Sequence, residues 1–303
     1  MFANRLRRNW ARLANGFAKR QIEAFRLYDR DIPEIRAVAD WYAGHLVVGE
    51  YARTQTADWP DWLATLAQAG ADALGIDAAL VHCKERRTRP QAGERYRKLA
   101  NLGQRIEVRE GPLRFWVNLD DYLDTGLFAD HRETRTLVAQ DAAGKTAANL
   151  FAYTGAFAVA LAVGGAKSTV SVDTSTAYMG WLADNLALNE VAGPQHTSAQ
   201  MDVRLWLDWA RRHDQRFDVV VCNPPSFSER NDQSFDVQRD HRELVKACIA
   251  VLRPGGVLWF SCNHQRFIAD LDGLASHCIE TTAQTVPVDY RNRQAHRSWR
   301  LAV

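Results

Sequence analysis

The sequence predicts an α/β protein: a doubly wound, Rossmann-like parallel sheet preceded by a small α+β domain. Three observations carry that prediction. From about residue 125 onward, apolar segments of strand length alternate with apolar segments of helix length, the rhythm of βαβ units. Within that half, Asn149-Leu-Phe-Ala-Tyr-Thr-Gly155 reads as a strand, a tight glycine turn and a helix start, with Asp173 ending the next strand. Phe217–Cys222 is apolar on both faces, as a central parallel strand must be.

The elements follow in order. Phe2, Leu6, Trp10, Leu13 and Phe17 recur at helical spacing, so residues 1–20 form a docked amphipathic helix. Residues 34–40 and 45–52 read as a β-pair around Ala43-Gly44. Asp58 caps a helix with Pro60 in its first turn that ends near Gly75, as proline tolerates and glycine favours. Residues 79–83 form a short strand. The stretch 84–98 contains Pro90 and Gly93 and has no apolar period, so it is a loop. Strands at 106–109 and 113–118 meet at Glu110-Gly-Pro112. Residues 21–122 are thus a strand-strand-helix-strand-strand domain.

Residues 123–303 carry the larger sheet. Its expected strands are 147–152, 169–173, 197–200, 217–222 and 257–262. Its helices are 155–163, 175–189, 202–212 and 238–252, the last stopped by Arg253-Pro-Gly-Gly256. Segments 280–288 and 298–303 are expected to close the sheet as an antiparallel pair.

Composition narrows the function. The chain has 303 residues, 47% of them apolar, and a net charge of only +2. The charge is uneven. Residues 1–30 carry eight basic residues against Glu23 and Asp29, and residues 84–98 carry seven against Glu85 and Glu94. Local basic patches on a near-neutral protein suit a polyanion; solvated surface charge is the plainer reading of either patch alone. The five cysteines are scattered, with no C-x-x-C pair. Neither a metal site nor a disulfide framework is expected, and a reducing cytoplasm fits. No apolar run is long enough to span a membrane, and the N-terminus lacks the apolar core of a secretory signal.

Two segments carry chemistry. The 151–155 turn has one glycine where a dinucleotide fingerprint has three. A pyrophosphate needs several bare backbone positions, whereas a sulfonium nucleoside needs a single close approach. Asp173, about 20 residues past the turn, is spaced to accept ribose hydroxyls; capping the following helix with Ser175 is the alternative. Asp202 is placed either to reach an adenine amino group or to cap its own helix. Asn223-Pro-Pro-Ser-Phe227 follows the buried fourth strand. Two prolines lock the backbone, Asn223 and nearby carbonyls aim at one point, and Phe227 offers a stacking face for an extruded base. Cys262, at the end of the fifth strand, is either a covalent nucleophile for a pyrimidine or a small buried hydrophobe.

The residues resemble a specific family. Asp121-Tyr-Leu-Asp-Thr-Gly-Leu-Phe-Ala-Asp-His-Arg132, Asn149–Gly155, Phe235-Asp-Val-Gln-Arg-Asp-His241 and Asn292-Arg-Gln-Ala-His296 with Trp299 are similar to the K half of RlmKL, the fused bacterial 23S rRNA methyltransferase. The resemblance implies a class I S-adenosylmethionine-dependent methyltransferase sheet, with guanine N7 in 23S rRNA or a large-subunit assembly intermediate as acceptor. It implies cofactor binding by Asp130, Arg132, Phe151, Tyr153, Thr154, Gly155, Asp173, Thr174, Asp202, Val203 and Asn223, and catalysis at Asn223, Pro224, Pro225 and Phe227. RNA contacts are expected from Arg86, Arg87 and Arg89 in the basic loop and from Arg239, Arg293 and His296; each of the last three could instead be a structural partner. The fused family's other half has no counterpart in these residues; the chain is either a stand-alone version, with a separate RlmL-like protein as partner, or one half of a fusion. Where the family has Asp-Pro-Pro-Thr-Phe this chain has Asn223-Pro-Pro-Ser-Phe227, a turn more typical of enzymes acting on exocyclic amines. Cytosine-C5 methylation through Cys262 and a non-catalytic RNA-binding module are the remaining alternatives.

Overall fold

The computed structural model describes residues 1–51, 59, 61–86, 98–230, 233–264 and 266–303. It divides into two compact units: Met1–Ala129 with Val288–Asn292, and Asp130–Pro287 with Arg293–Val303. The division falls after the expected boundary at 122/123, and the first helix belongs to the first unit.

In the first unit, α1 (Phe2–Lys19) buries Phe2, Leu6, Asn9, Leu13 and Phe17. A four-stranded sheet runs β1 (Ala24–Asp29), β2 (Ala37–Tyr42), β3 (His45–Tyr51), then α2 (Trp62–Leu74), then β4 (Val81–Arg86) parallel to β3. The β2–β3 turn uses Ala43 and Gly44, both at positive φ, the backbone a two-residue hairpin requires. β5 (Ile106–Glu110) and β6 (Leu113–Val117) form a separate hairpin.

Strand β1 was not expected from sequence. Its Arg26 breaks the apolar pattern, but that guanidinium makes a forked pair with Asp40 on β2 at 2.8 and 3.0 Å and lies over the Tyr290 ring. The charge is matched across the strands, so the segment can be buried with only Arg26 partly exposed. β4 also continues to Arg86, past the expected loop start at 84. The Asp58 cap and Pro60 lie outside the described residues, as do Arg87 and Arg89.

The second unit opens with α3 (Arg132–Gln140). Its sheet then alternates with helices: β7 (Thr146–Leu150), α4 (Ala156–Val163), β8 (Ser168–Asp173), α5 (Thr176–Leu188), β9 (His196–Gln200), α6 (Val203–Arg212) and β10 (Phe217–Cys222). A hairpin of β11 (Phe227–Arg230) and β12 (Gln233–Asp236) follows, then α7 (Val237–Ile249), β13 (Leu252–Cys262), β14 (His277–Glu280), the short α8 (Thr282–Thr285) and β15 (Arg297–Ala302). The sheet order is β14-β15-β13-β10-β7-β8-β9. β13, β10, β7, β8 and β9 are parallel, and β15 and β14 are antiparallel additions.

One sheet face packs Trp206 and Leu207 of α6 and Leu244, Val245 and Cys248 of α7. The other packs Val138 of α3 and Phe157 and Leu161 of α4. The expected closing strand at 280–288 is instead the end of β14 followed by the α8 turn. Its threonines bond locally: Thr285 Oγ1 donates to Thr281 O at 3.1 Å. Such side-chain bonds compete with a strand ladder.

The chain leaves β7 toward β8 and β9, then returns to β10 on the other side. This reversal places the crevice at the carboxyl ends of β7 and β10, where ligands of doubly wound sheets bind. Cys222 pairs with Leu150, so the segments after these two residues start side by side. They are the 151–155 turn and the Asn-Pro-Pro segment.

Candidate active site

The turn after β7 is held in an uncommon backbone. Phe151 (φ 55°), Tyr153 (φ 50°) and Gly155 (φ 82°) all lie in the left-handed region. A non-glycine residue there costs roughly 1–3 kcal/mol and persists only where its surroundings impose it. Those surroundings are visible. Ala152 N donates to Val172 O at 3.0 Å and Gly155 N to Ala152 O at 2.9 Å. Tyr153 N donates to Asp173 Oδ2 at 2.9 Å, and Asn185 Nδ2 on α5 donates to Thr154 O at 2.8 Å.

A Cβ at Gly155 would lie 2.5 Å from Leu182 Cγ, so glycine is required by both conformation and space. Gly155→Ala is expected to destabilise the fold by roughly 1–3 kcal/mol and to weaken cofactor binding in parallel. Thermal denaturation and titration calorimetry on the same variant check both.

Asp173 is half-buried at the end of β8. Its Oδ1 accepts from Ser175 N at 3.0 Å while Oδ2 takes Tyr153 N. Each carboxylate oxygen has more than one acceptor direction, so the group can anchor the turn and still receive hydroxyls. The helix cap belongs to Ser175, whose side chain accepts from Tyr178 N. Asp202 caps α6: Oδ1 accepts from Arg204 N at 2.8 Å and Leu205 N at 3.2 Å. Thr174 is half-buried, whereas Thr154 and Val203 are buried.

Past β10, Asn223 is half-buried, Pro224 buried, Pro225 half-buried and Phe227 exposed at 47%. Asn223 Oδ1 is buried and has no hydrogen-bond partner among the described residues. Native structures rarely leave such an acceptor orphaned. An orphan here, at the carboxyl end of β10, fits a cleft built for a nucleoside with donors to offer.

Asp130 and His296 were expected to meet cofactor and RNA, respectively. The structure brings them together in the interior of the second unit with His131, which sequence reasoning missed. All three are buried, with one potential ligand atom from each within 4.8 Å of the others. The imidazoles of His131 and His296 stack with centroids 4.0 Å apart and planes 19° from parallel. Stacked rings hold their in-plane lone pairs in separate, nearly parallel planes, which suits a hydrogen-bond network better than a shared ion. Asn263 Nδ2 donates to Asp130 Oδ2 at 2.9 Å; His296 Nε2 and Thr285 Oγ1 share a hydrogen bond of 2.9 Å. Burial first, and then the neighbouring His296, push the His131 pKa down to about 3. Arg132 is also buried, with Nε 3.6 Å from Glu133 Oε1.

The family model for S-adenosylmethionine-dependent methyltransferases matches residues 24–291. The chain belongs to that family. It is 41% identical over 299 residues to the ribosomal RNA large subunit methyltransferase K/L of Alcanivorax borkumensis, covering 96% of this chain and 42% of the relative. With the protein of the same name from Aeromonas salmonicida it shares 43% over 309 residues, covering 98% and 42%. The chain therefore spans less than half the length of these relatives. Among solved structures, a protein provisionally described as a SAM-dependent methyltransferase from Streptococcus mutans superposes with a TM-score of 0.80 at 22% identity, covering 100% of this chain and 81% of that one. Another protein, likewise provisionally described as a methyltransferase and complexed with SAH, gives 0.77 at 23%, with the same coverage. At such identities the likeness is one of fold.

In this methyltransferase Cys262 is fully buried, and burial pushes its thiol up to about 11. Attack on a pyrimidine requires the thiolate, so the small-hydrophobe reading of Cys262 prevails. Arg239 is exposed and forked onto Asp240 at 2.7 Å, with a further bond to Ser234 O at 2.9 Å. Arg293 donates to Pro287 O and Val286 O, both at 2.7 Å. Both guanidiniums thus already have structural partners, and buried His296 is out of reach of a polynucleotide. Arg86 ends β4. No helix among the described residues is long and apolar enough to cross a membrane.

Proposed function

We propose that this methyltransferase modifies 23S rRNA, at N7 of a guanine in unpaired or incompletely assembled RNA. The observation that carries this reading is the meeting, at the β7/β10 switch, of the pinned 151–155 turn, Asp173 and the orphaned Asn223 oxygen. The ribosomal substrate is supported by the relatives' names, and N7 by the resemblance in segments 121–132, 149–155, 235–241 and 292–296.

When bound, S-adenosylmethionine supplies an electrophilic methyl group on a sulfonium. The chain's residues do the rest. Asp173 receives the ribose hydroxyls, the Gly155 turn lets backbone approach the amino-acid end, and Asp202 Oδ2 receives the adenine amine. Pro224 and Pro225 hold the acceptor base against Phe227. Guanine N7 carries an in-plane lone pair and no proton, so transfer needs in-line placement rather than a general base. The product ring is cationic, and the Asn223 oxygen stabilises it. N7 sits on the major-groove edge, which is closed to side chains in an RNA helix, so the target base must be unpaired or extruded.

A second reading, methylation of an exocyclic amine, is favoured by the same Asn223 oxygen, which can accept from an amino group. Unmodified 23S rRNA incubated with labelled cofactor and digested to nucleosides separates the two. N7-methylguanosine supports the first, and an N2- or N6-methylated nucleoside replaces it with the second. A third result, cofactor binding without product, points to a requirement for a separate partner like the remainder of the longer relatives. Asn223→Ala is expected to lower turnover roughly 100-fold while leaving cofactor affinity within a few-fold; equal losses in both would refute the role in transfer.

A further inference from the structure

The first unit contains a groove of about 600 Å³ along one flank of α1. That volume lies within the range of small-ligand sites, about 300–1,000 Å³. Trp10 falls at helical spacing with the apolar face of α1. The structure leaves it half-buried at the edge of that face, with Phe2, Leu6, Leu13 and Phe17 buried. Its ring lies 4.6 Å from that of Trp41, at 66°, and 6.1 Å from Phe25. Ala14 and Ala18 continue the lining beside Trp10 and leave the space open.

The rim is polar and basic. Asn15 and Gln21 present exposed amides, and the Arg109 side chain is 46% exposed, its Nε 3.7 Å from a Glu107 Oε1 that Arg114 holds more closely, at 2.7 Å. Glu23 is the one carboxylate lining the groove, and it is engaged with backbone. Its Oε2 accepts from Arg109 N at 3.0 Å, its N donates to Arg109 O at 2.9 Å, and its O accepts from Ala43 N at 2.9 Å. α1 itself has five basic residues and no acidic one. Arg7 lies three residues before Trp10, on the same flank.

The geometry points to this groove as a subsite for an unpaired nucleotide of the RNA substrate, with the base stacked on the Trp10 ring, which Trp41 braces edge-on, and the phosphate met by Arg109. This rests on the ribosomal RNA reading and deepens it. Sites for single-stranded nucleic acid combine aromatic platforms with a basic track.

The test uses the full chain and a short unstructured oligoribonucleotide with a fluorescent end-label, read by anisotropy. Wild type is expected to bind with quenched tryptophan emission. Trp10→Leu stays apolar but loses the stacking face, and Trp41→Leu removes its brace; each should weaken binding roughly 10-fold or more. Arg109→Gln should reduce the salt slope by about one ion. Cofactor affinity, measured by calorimetry, should be unchanged in all three and reports that each variant is folded. Wild-type oligonucleotide affinity in folded Trp10→Leu and Trp41→Leu overturns the subsite while leaving the methyltransferase reading intact. Wild type that binds cofactor but neither binds nor methylates RNA overturns the ribosomal reading, and the subsite with it. A mass that doubles with concentration in wild type and not in Trp10→Leu, without RNA binding, assigns the groove to a second copy instead.

Discussion

Replacing Asp173 by alanine is expected to weaken S-adenosylmethionine binding at least roughly 100-fold. Hydrogen bonds to a charged group contribute about 1.5–3 kcal/mol each, and a ribose offers two hydroxyls to one carboxylate. Asp173 also anchors Tyr153 N and Ser175 N, so part of the loss would arise from a loosened turn. A cofactor analogue lacking the ribose 2′-hydroxyl separates the contributions. Wild type should discriminate against it by roughly 10-fold or more, while Asp173→Ala should bind both forms alike, the pattern of a coupled pair in a double-mutant cycle. If the variant still discriminates, the carboxylate holds the turn and does not read the ribose.

The parts legible in the sequence are those whose signals are local. The 151–155 turn was readable because a strand, a glycine and a helix start follow one another without interruption. The Asn223-Pro-Pro turn was readable because proline constrains the backbone wherever it stands. Elements whose stability comes from a distant partner were not. β1 depends on Asp40 neutralising Arg26. The β11–β12 hairpin has a polar sequence with no alternation, and its pairing of Phe227 with Asp236 could not be anticipated from either strand. Asp202 was ambiguous for a physical reason: one oxygen caps a helix, and the carboxylate has a second. The buried network was the least legible, because Asp130 and His131 lie in one motif, Asn263 follows β13, and His296 precedes β15.

That network leads to the second large effect. Between pH 6.5 and about 3 the protein is expected to lose stability as pH falls, by up to about 1 kcal/mol per pH unit from His131 alone. The sign follows from where the proton binds. In the folded chain His131 is held at about 3, by burial first, then by His296 and Arg135, with Asp130 acting the other way. In the unfolded chain it titrates near the ordinary 6.5. Within this window the unfolded state therefore carries one proton more, so unfolding is favoured by acid. The contribution is intact above pH 6.5 and is lost as pH falls toward 3. Urea denaturation at several pH values in this range measures the slope. His131→Gln keeps a donor and an acceptor near Asn263 and Thr134 and removes the titration. The variant should be less stable at pH 7, where the stacked ring is missed, yet its stability should fall less steeply toward acid. The same acid slope in variant and wild type would show that other groups carry the pH dependence and that His131 does not change its protonation on unfolding.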